Sequence, residues 1–415
     1  MENIVLTLNA GSSSVKFSAF TPGDGGLEPV ASGQVEGLGA TPTFSVRPRS
    51  GEKLERRMSG GDERADHHLA VGAILGWLAE ARLDQSVLAV GHRVVHGGID
   101  FVAPVAIDDD VLAKLKSLVP LAPLHQPHNI VGIEAARQHF PKASQVACFD
   151  TAFHRSHPLI ADTFALPRRF YEEGIRRYGF HGLSYEYIAR RLRAVAPRLA
   201  AGRVIVAHLG NGASLCAMRD GKSMASTMSF TALDGLPMGT RCGQLDPGVV
   251  LYLMAERRMS AEAISDLLYN ESGLKGMSGI SHDMRELEAA DSDAARDAIA
   301  YFVARIRQEI GSLAAAIGGL DALVFTAGIG ENASAVRAAV LGDMRWIGID
   351  LDEAANAAGR ETISSAASAV TVFVMKTDEE LMIAEQSAEV AGMAVARTRQ
   401  SKLVGGGPQR EHIGV

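Results

Sequence analysis

Three short turns in the sequence combine small residues with hydroxyl, amide and ammonium groups. They are NAGSSSVK at residues 9–16, HLGNGAS at 208–214 and FTAGIGENA at 325–333. Small side chains let backbone N–H groups approach an anion, and hydroxyls with one lysine can reach a polyphosphate and its metal ion. Taken alone, each string also fits an ordinary polar turn, because short motifs often match by chance. Together they predict phosphate sites built largely from backbone.

The third turn also contains the pattern G-x-G-x-x-A between an apolar run and a predicted helix. This raises the alternative of a Rossmann dinucleotide site, in which an acid about 20 residues later binds the ribose. The acid at that distance, Asp350, follows a run containing Trp346 rather than an obvious second strand. No G-x-x-x-x-G-K-[ST] string occurs, which excludes a P-loop. Three phosphate-type turns in one chain favour a nucleoside triphosphate over NAD.

Two arginines lie in turns flanked by glycine, where a planar guanidinium has room to face an anion. Arg93 lies in GHRVVHGG, and Arg241 lies in MGTRCGQLDPG. A guanidinium can bind a carboxylate or a phosphate through two parallel hydrogen bonds. A surface salt bridge is the alternative for either arginine, and His92 and His96 fit hydrogen-bonded structural roles. No spacing of histidine, cysteine and aspartate indicates a zinc site.

Acidic residues follow two apolar runs that are predicted strands. Asp150 ends the string QVACFD, and the carboxyl ends of strands carry ligand-binding and catalytic groups in open α/β sheets. The string TDEEL places Asp378, Glu379 and Glu380 together after VTVFVM. Such carboxylates could reach Mg²⁺ directly or through water. A helix N-cap followed by acids in the first turn explains TDEEL equally well.

Composition narrows the function classes. The chain has 415 residues, with 41 lysines and arginines against 48 aspartates and glutamates, and its net charge is −7. This balance offers no attraction for nucleic acid or for anionic lipid, so neither is an expected partner. The N-terminus lacks the basic start of a signal peptide, and no apolar run is long enough to span a membrane. Cys148, Cys216 and Cys242 are too far apart for a C-x-x-C pair, which predicts a reducing, cytoplasmic setting.

Alternating apolar runs and helical patterns predict an α/β architecture. Strands are expected at residues 3–8, 14–20, 86–95 and 322–326, with edge strands and loops over 21–66. Helices are expected at 67–82, 293–317 and 334–341, and AGIGEN at 327–332 is expected to be a loop. Gly318 and Gly319 are expected to end the long helix.

The chain contains one internal echo. IVLTLNAGSSSVKF at residues 4–17 and VIVAHLGNGASLCAM at 204–218 both combine two apolar strands with a turn of small residues. Any two β-hairpins share this layout, so the echo alone does not establish a repeat; two similar domains facing each other are the alternative. Residues 397–415 lack periodicity and contain GGG, which predicts a flexible tail.

Taken together, ten strings resemble, in order, the motif series of the acetate kinase (acetokinase) family over residues 4 to about 385. The resemblance implies the superfamily of acetate and sugar kinases, Hsp70 and actin. It implies an α/β fold of two ribonuclease H-like (actin-like ATPase) domains, with the active site in the cleft between them. The implied N-terminal domain is 1–150 with about 381–396, and the C-terminal domain, 151–380, carries most nucleotide contacts. The strings are NAGSSSVKF, GHRVVHGG, LAPLHQPHN, FDTAFH, RRYGFHG, HLGNGAS, MGTRCGQLDPG, SGISHDMR, FTAGIGEN and TDEEL.

Family positions imply a role for each candidate residue. The implied catalytic residues are Asp150, Arg93, Arg241, His181 and His125. The implied Mg²⁺ site consists of Asn9 and Glu379, and the phosphate path of Ser12, Ser14 and Lys16. The implied walls of the acyl pocket are Val95, Leu124, Phe180 and Ala232, with Arg93 binding the carboxylate. The implied adenosine and phosphate contacts are His208, Leu209, Gly210, Asn211, Gly212, Asp283, Met284, Arg285, Gly328, Ile329, Gly330, Glu331 and Asn332.

The implied reaction is reversible phosphoryl transfer from ATP to acetate, giving acetyl phosphate and ADP, with Mg²⁺ or Mn²⁺, in a cytoplasmic homodimer. A carboxylic acid titrates near 4, so acetate is already an anion and needs no general base. Asp150 is therefore expected to position Mg²⁺, water or an arginine, although in relatives it is often given an acid or base role. The alternatives are a propionate or other short-chain acyl kinase, and, from a different class, a non-catalytic actin- or Hsp70-like ATP-binding switch.

The chain departs from the family's usual pattern at a few positions. TALDGL stands where TPLEGL is usual, so Ala232 replaces a pocket proline and the acyl size limit is open. Gln244 stands in the usual GD[IL]DP, Leu183 and Tyr185 in FHG[TS]SH, and His128 in HNPPN. None of these changes removes a proposed catalytic group.

Overall fold

The first half of the chain forms an eight-stranded sheet in a computed structural model that describes residues 3–11, 14–39, 41–49, 51–58 and 63–394. The strands are β1 (Ile4–Ala10), β2 (Ser14–Gly23), β3 (Gly26–Glu36), β4 (Thr43–Pro48), β5 (Leu54–Arg57), β6 (Val87–Val94), β7 (Val105–Ala106) and β8 (Ser144–Phe149). Their order is β5-β4-β3-β2-β1-β6-β8-β7. β1 is antiparallel to β2 and parallel to β6, which is parallel to β8. The carboxyl ends of β1, β6 and β8 therefore meet at one edge.

The second half forms a five-stranded sheet with the same central arrangement. Its strands are β9 (Arg203–Leu209), β10 (Ala213–Arg219), β11 (Lys222–Ser226), β12 (Ala322–Thr326) and β13 (Thr371–Val374). The order is β11-β10-β9-β12-β13, with β9 antiparallel to β10 and parallel to β12. β10-β9-β12 thus repeats β2-β1-β6, which gives the internal echo a structural basis. An antiparallel pair at this position also argues against the parallel core of a Rossmann site.

Sixteen helices in the described residues surround the two sheets. They are α1 (Glu63–Glu80), α2 (Asp109–Ser117), α3 (Gln126–His139), α4 (Leu159–Asp162), α5 (Arg168–Glu172), α6 (Gly182–Val195), α7 (Pro197–Ala200), α8 (Pro247–Ala255), α9 (Ala261–Asn270), α10 (Gly273–Ser278), α11 (Met284–Ala289), α12 (Asp293–Ile317), α13 (Ala327–Asn332), α14 (Ser334–Leu341), α15 (Glu353–Ala357) and α16 (Glu379–Val390). None of these helices in the described residues is long and apolar enough to cross a bilayer.

The long helix predicted at residues 293–317 is confirmed as α12. Its apolar stripe packs into the main core of the second sheet, and Gly318 ends it in the left-handed conformation at φ 75°. The loop predicted for AGIGEN is wrong, because these residues form α13. The Glu331 carboxylate accepts a hydrogen bond from the Ala327 backbone N–H at 2.9 Å, which satisfies a free donor of the first turn.

The last described helix, α16, returns to the first sheet. Its apolar face contacts β1, β6 and β8 through residues such as Ile383 and Ala384. A Cβ atom at Gly91 of β6 would collide with Ser387 and Ile383, so glycine at this position permits the close contact. This packing brings TDEEL to the edge where β1, β6 and β8 end. The domain boundaries stay a prediction, and residues 395–415, including the predicted tail, lie outside the described residues.

Candidate active site

Three side chains from neighbouring strands of the first sheet form one hydrogen-bonded group. Arg93 of β6 donates to both carboxylate oxygens of Asp150, from Nε at 3.0 Å and from Nη2 at 2.6 Å. The third nitrogen, Nη1, donates to Asn9 Oδ1 of β1 at 3.2 Å. Asp150 follows β8 and is only 2% exposed. The two-point contact fixes the plane of the guanidinium.

Opposing effects act on the charges of this pair. Burial raises the pKa of Asp150 above its ordinary value, and the Arg93 guanidinium opposes that rise. Burial alone would lower the pKa of Arg93, but Asp150 and the nearby Glu379 raise it above its ordinary value. Arg93 is therefore a permanent cation whose charge is largely compensated by Asp150.

Arg241 comes from the second half and has a different environment. Its Nη1 donates to the Ala232 backbone carbonyl at 3.0 Å and contacts Met238 Sδ at 3.6 Å. Across the described ranges, no carboxylate forms an ion pair with it. Burial and the charge of Arg93 lower its pKa from the ordinary value, which is still far too high for deprotonation. Arg241 is thus a half-buried cation that no carboxylate in the described part of the chain compensates.

Three predicted histidines lie around these arginines as neutral rings. Burial lowers the pKa of His125 to about 3, with help from the charges of Arg241 and Arg93. Burial lowers the pKa of His208 to about 4 and that of His181 well below its ordinary value. The rings of His181 and His208 stack with centroids 4.1 Å apart. The fixed positive charge therefore comes from the arginines.

His181 reaches this position through an unusual backbone conformation. It lies at the N-terminus of α6 with φ 58°, a left-handed value that is uncommon outside glycine. The next N–H, of Gly182, donates to the Asp150 carbonyl at 2.9 Å. Any side chain at Gly182 would collide with that carbonyl oxygen. Glycine here lets α6 begin directly beside Asp150.

The three predicted phosphate turns are partly brought together. A Cβ atom at Gly210 would lie 3.3 Å from the Gly212 carbonyl and 4.0 Å from the Gly328 N–H, so the second and third turns are neighbours. In the first turn, Gly11 N–H donates to the Ser14 carbonyl at 2.8 Å. Ser12 lies outside the described residues. Lys16 is exposed on β2, directly opposite Asn9.

Several residues predicted to contact the nucleotide have buried side chains. Leu209 and Met284 belong to the apolar core of the second sheet, so only their backbone is free to face a ligand. Asp283 is the N-cap of α11, and hydrogen bonds from Arg285 lower its pKa to about 2. The Arg285 side chain is 88% exposed. The predicted segments are thus held in place by caps and core contacts.

The TDEEL string begins helix α16, which confirms the N-cap alternative and leaves the Mg²⁺ alternative a prediction. Asp378 is the N-cap of α16 and accepts from the Leu381 N–H at 2.9 Å, as a helix start predicts. Glu380 accepts from Thr7 Oγ1 at 2.7 Å, and burial raises its pKa. Glu379 lies close enough to Arg93 to raise the pKa of that arginine. The Glu379 carboxylate therefore lies near the Arg93 group.

The residues fit a magnesium ion that is held mostly by its substrate. No cluster of three or more histidine, cysteine, aspartate or glutamate side chains in the described part of the chain could form a metal centre. Mg²⁺ usually keeps several waters and takes one or two carboxylates together with phosphate oxygens. Asn9 and Glu379, both near Arg93, have side-chain oxygens of the kind that such an ion takes, so their chemistry fits Mg²⁺.

Three of the four predicted acyl-pocket residues lie in one apolar region. Val95 and Phe180 belong to the same buried cluster, and Ala232 packs against it. Leu124 is 41% exposed and is not among the buried members of that cluster. Val95, Phe180 and Ala232 thus belong to one extended apolar cluster, Ala232 is bonded to Arg241 through its carbonyl, and Leu124 is at the surface.

Sequence reasoning missed the hydroxyl groups that support the histidines. Ser214 Oγ lies 2.8 Å from His181 Nδ1, and Ser184 Oγ lies 2.9 Å from His208 Nδ1. Tyr185 Oη lies 2.5 Å from Ser214 Oγ. Tyr185 was visible in the sequence only as a departure from a family pattern, and Ser214 only as the end of HLGNGAS.

Comparisons with known proteins identify the family. The acetokinase family model matches residues 4–385. The acetate kinase of Methylocella silvestris is 60% identical over 394 residues, covering 93% of this chain and 98% of that protein. The acetate kinase structure from Porphyromonas gingivalis has a TM-score of 0.84 at 39% identity, covering 94% of this chain and 99% of its own. A propionate kinase structure from Francisella tularensis has a TM-score of 0.87 at 36% identity, with coverage of 94% and 100%. These likenesses confirm the predicted α/β fold of two actin-like halves, and the chain belongs to the acetokinase family.

Proposed function

We propose that this acetokinase transfers the terminal phosphoryl group of ATP directly to acetate, giving acetyl phosphate and ADP, and that it also runs the reverse reaction. Similar proteins from Methylocella silvestris and Porphyromonas gingivalis carry the name acetate kinase. An acetate kinase is a phosphotransferase with a carboxyl group as acceptor. In this proposal the residues described above supply the functions that the reaction requires.

The uncompensated charge of Arg241 is the observation that carries the proposal. Acetate and the terminal phosphoryl group are both negative, so the main obstacle to their reaction is mutual repulsion. Arg241 and Arg93 both lie close enough to His125 to lower its pKa, so two cations converge on one region. Cations aimed at a transferring phosphoryl group can be worth on the order of 10³–10⁵ in rate.

Asp150 acts on Arg93 rather than on the substrate. Both of its carboxylate oxygens accept hydrogen bonds from Arg93, which leaves the arginine fixed in one plane. Acetate is ionised at neutral pH, so no proton has to be removed before attack. Asp150 is therefore an orienting residue in this proposal.

Asn9 and Glu379 hold Mg²⁺ in the proposed complex. A bound Mg²⁺ would supply positive charge to offset that of the nucleotide phosphates. Among the residues that the structure describes, Arg93 Nη1 is the donor to Asn9 Oδ1, and an amide oxygen has a second lone pair for a metal ion. In the proposal Mn²⁺ can replace Mg²⁺.

ATP binds along the turns that the two hairpins present. In the proposal the backbone N–H groups of Asn211 and Gly212, beside Gly328 at the start of α13, face the phosphates. The Gly210 N–H donates to the Gly212 carbonyl at 3.1 Å and so holds the turn closed. Ser14 and Lys16 extend this path on the first hairpin, and Ser12, outside the described residues, stays a predicted phosphate contact. Asp283 to Arg285 and the remaining residues of α13 contact the adenosine.

The acyl group lies against Val95, Phe180 and Ala232. All three belong to or pack against one apolar cluster, and the Ala232 carbonyl accepts a hydrogen bond from Arg241 Nη1. A short alkyl group next to a cation is the shape of acetate or propionate. Propionate is the alternative acceptor, because alanine in place of proline at position 232 leaves a larger space.

A hydroxamate assay tests the proposal. The full-length protein is incubated with ATP, Mg²⁺ and acetate, and hydroxylamine converts any acyl phosphate to a coloured hydroxamate. We expect product only when all three reactants are present, with Arg241→Ala strongly impaired and the exposed-residue control Arg296→Ala unaffected. Binding of ATP without hydroxamate would overturn the proposal in favour of a non-catalytic ATP-binding switch.

We also propose that the enzyme is a cytoplasmic homodimer. Helix α8 has no buried residue, and Val249, Leu251, Tyr252 and Met254 are all exposed on it, a patch that a second copy would cover. The free thiols of Cys148, Cys216 and Cys242 fit a reducing compartment. Light scattering should give the dimer mass, and Leu251→Glu should give the monomer. A monomeric parent protein would overturn the dimer.

A further inference from the structure

A buried chain of hydrogen bonds leads from helix α6 to the imidazole of His181. Tyr185 Oη lies 2.5 Å from Ser214 Oγ, which lies 2.8 Å from His181 Nδ1. Tyr185 and Ser214 are both fully buried. Tyr185 stands where the family's pattern usually has histidine. Its hydroxyl is therefore a feature of this sequence, not of that pattern.

The hydroxyl hydrogens of Tyr185 and Ser214 must each have an acceptor. In the part of the protein that the structure describes, Tyr185 Oη bonds to Ser214, and Ser214 Oγ bonds to Tyr185 and His181. Burial raises the pKa of Tyr185 well above its ordinary value, so the phenol keeps its hydrogen. Both hydrogens are used only if Tyr185 donates to Ser214 and Ser214 donates to Nδ1. Any other order leaves a buried O–H without an acceptor, which is costly.

This order of donors determines which nitrogen of the His181 ring carries the hydrogen. A neutral imidazole carries one hydrogen, and a ring whose Nδ1 accepts must carry it on Nε2. A Cβ atom at Gly212 would lie 3.1 Å from His181 Nε2 and 3.9 Å from Arg241 Nη1. The Nε2–H group therefore faces the same space as the Arg241 guanidinium, beside the second phosphate turn.

The His208 ring, which stacks on His181, carries its hydrogen on the other nitrogen. Ser184 Oγ donates to Thr377 Oγ1 at 2.9 Å, so its single hydrogen is not available to His208. His208 Nδ1 must then donate to Ser184 Oγ, across 2.9 Å. The hydrogen of His208 is therefore on Nδ1, and its Nε2 is a bare acceptor. The two stacked rings differ in tautomer because their supporting hydroxyls differ in what else they bond.

We propose that Tyr185 and Ser214 are positioning residues that fix His181 as the Nε2–H tautomer, so that a neutral imidazole donates a hydrogen bond to an anion bound beside Arg241. The identity of that anion as a phosphoryl group rests on the proposed function, whereas the tautomer does not. Tyr185 acts through Ser214 and touches no substrate.

Nitrogen NMR of the full-length protein tests the tautomers directly. The protein is labelled with ¹⁵N-histidine, and two-bond ¹H–¹⁵N correlations distinguish Nε2–H from Nδ1–H rings; His181→Gln and His208→Gln assign the signals. We expect Nε2–H for His181 and Nδ1–H for His208.

In Tyr185→Phe and in Ser214→Ala, His181 should become a mixture of tautomers while His208 keeps its pattern. Tyr187→Phe, on the same helix, is the matched control and should change neither ring.

Kinetics add a second measurement. Tyr185→Phe should lower kcat about 3- to 10-fold, the effect of one neutral hydrogen bond, with the KM values for ATP and acetate little changed. The double variant Tyr185→Phe/Ser214→Ala should be no slower than Ser214→Ala alone, because both act through one path.

Two results would overturn the inference: an Nδ1–H pattern for His181 in the parent protein, or an unchanged His181 pattern in both single variants. If Tyr185→Phe does not fold, the parent spectrum and Ser214→Ala still decide. Expected tautomers in a protein that forms no acetyl phosphate would support the assignment and refute the proposed function.

Discussion

The two halves of the molecule share a hairpin arrangement, but they differ in whether the arginine beside it is paired with a carboxylate. In the first half, Arg93 donates to both oxygens of Asp150 and to Asn9. In the second half, Arg241 is bonded only to a backbone carbonyl and a thioether sulfur within the described residues. One guanidinium is paired with a carboxylate, and the other has no carboxylate partner among the described residues.

This difference indicates how the two arginines divide the work. A buried cation with no counter-charge destabilises the folded protein, so its presence points to an anion that compensates it during function. Arg93, whose charge Asp150 compensates, contributes a guanidinium group of fixed orientation. Arg241 contributes free positive charge, and the neutral rings of His181 and His208 add none.

The largest effect is expected from removing the free charge. Arg241→Ala should lower kcat by roughly 10²-fold or more with the KM for ATP little changed, because its charge acts on the group in transfer. Steady-state hydroxamate assays measure both constants. Turnover near that of the parent protein would remove Arg241 from the mechanism and erase the contrast with Arg93.

A smaller effect is expected from loosening the held arginine. Asp150→Asn should lower kcat about tenfold, since one charge-assisted hydrogen bond to Arg93 is lost while the shape is kept. No pH limb near neutrality should disappear in this variant. A limb titrating at pH 6 to 7 in the parent protein, absent from Asp150→Asn, would instead assign Asp150 to base catalysis.

The apolar wall beside Arg241 should tune acyl size only modestly. A single methylene in such a pocket is worth about 1–3 kcal/mol, so we expect propionate within roughly tenfold of acetate in kcat/KM. Ala232→Pro should raise the preference for acetate a few-fold, because the ring fills part of the space. Val95→Ala should shift the preference the other way. Equal ratios in the parent and Ala232→Pro would show that residue 232 does not set the pocket.

The smallest effect concerns pH. The pKa of His208 is about 4, that of His125 about 3, and that of His181 is also far below the ordinary value. Lowering the pH from 8 to 6 would protonate most of an ordinary histidine with pKa about 6.5, but it leaves these three neutral. We therefore expect kcat to change by less than about twofold between pH 6 and 8. A steep change that disappears in His181→Gln would show a charged ring.

The sequence predicted those features that depend on neighbours along the chain. The apolar stripe of α12 and the glycine that ends it predicted that helix with its correct limits. The short strands around the small-residue turns predicted the two hairpins, and Asp378 followed by acids predicted the start of α16. AGIGEN was misjudged as a loop because the carboxylate that stabilises its first turn also bonds to Thr377, 46 residues away.

The resemblance of ordered strings supplied the candidate residues, but not their partners. Arg93 and Asp150 are separated by 57 residues, and Asn9 is 84 residues from Arg93. Leu124 has an exposed side chain and its place in the acyl pocket stays a prediction, whereas Leu209 and Met284 were expected at the nucleotide and their side chains are in the core. A position in a string does not fix where a side chain points.

By itself the sequence determined the types of element, the turns and the chemical groups available, because backbone hydrogen bonding and apolar periodicity act over a few residues. Only the tertiary structure decided which charges are compensated and which hydroxyl hydrogens are used. Those outcomes depend on contacts such as Arg93 with Asp150 and Tyr185 with Ser214, which form only when separate strands and helices pack. In a buried site, the free energy of a charge or a polar hydrogen is set by these distant partners.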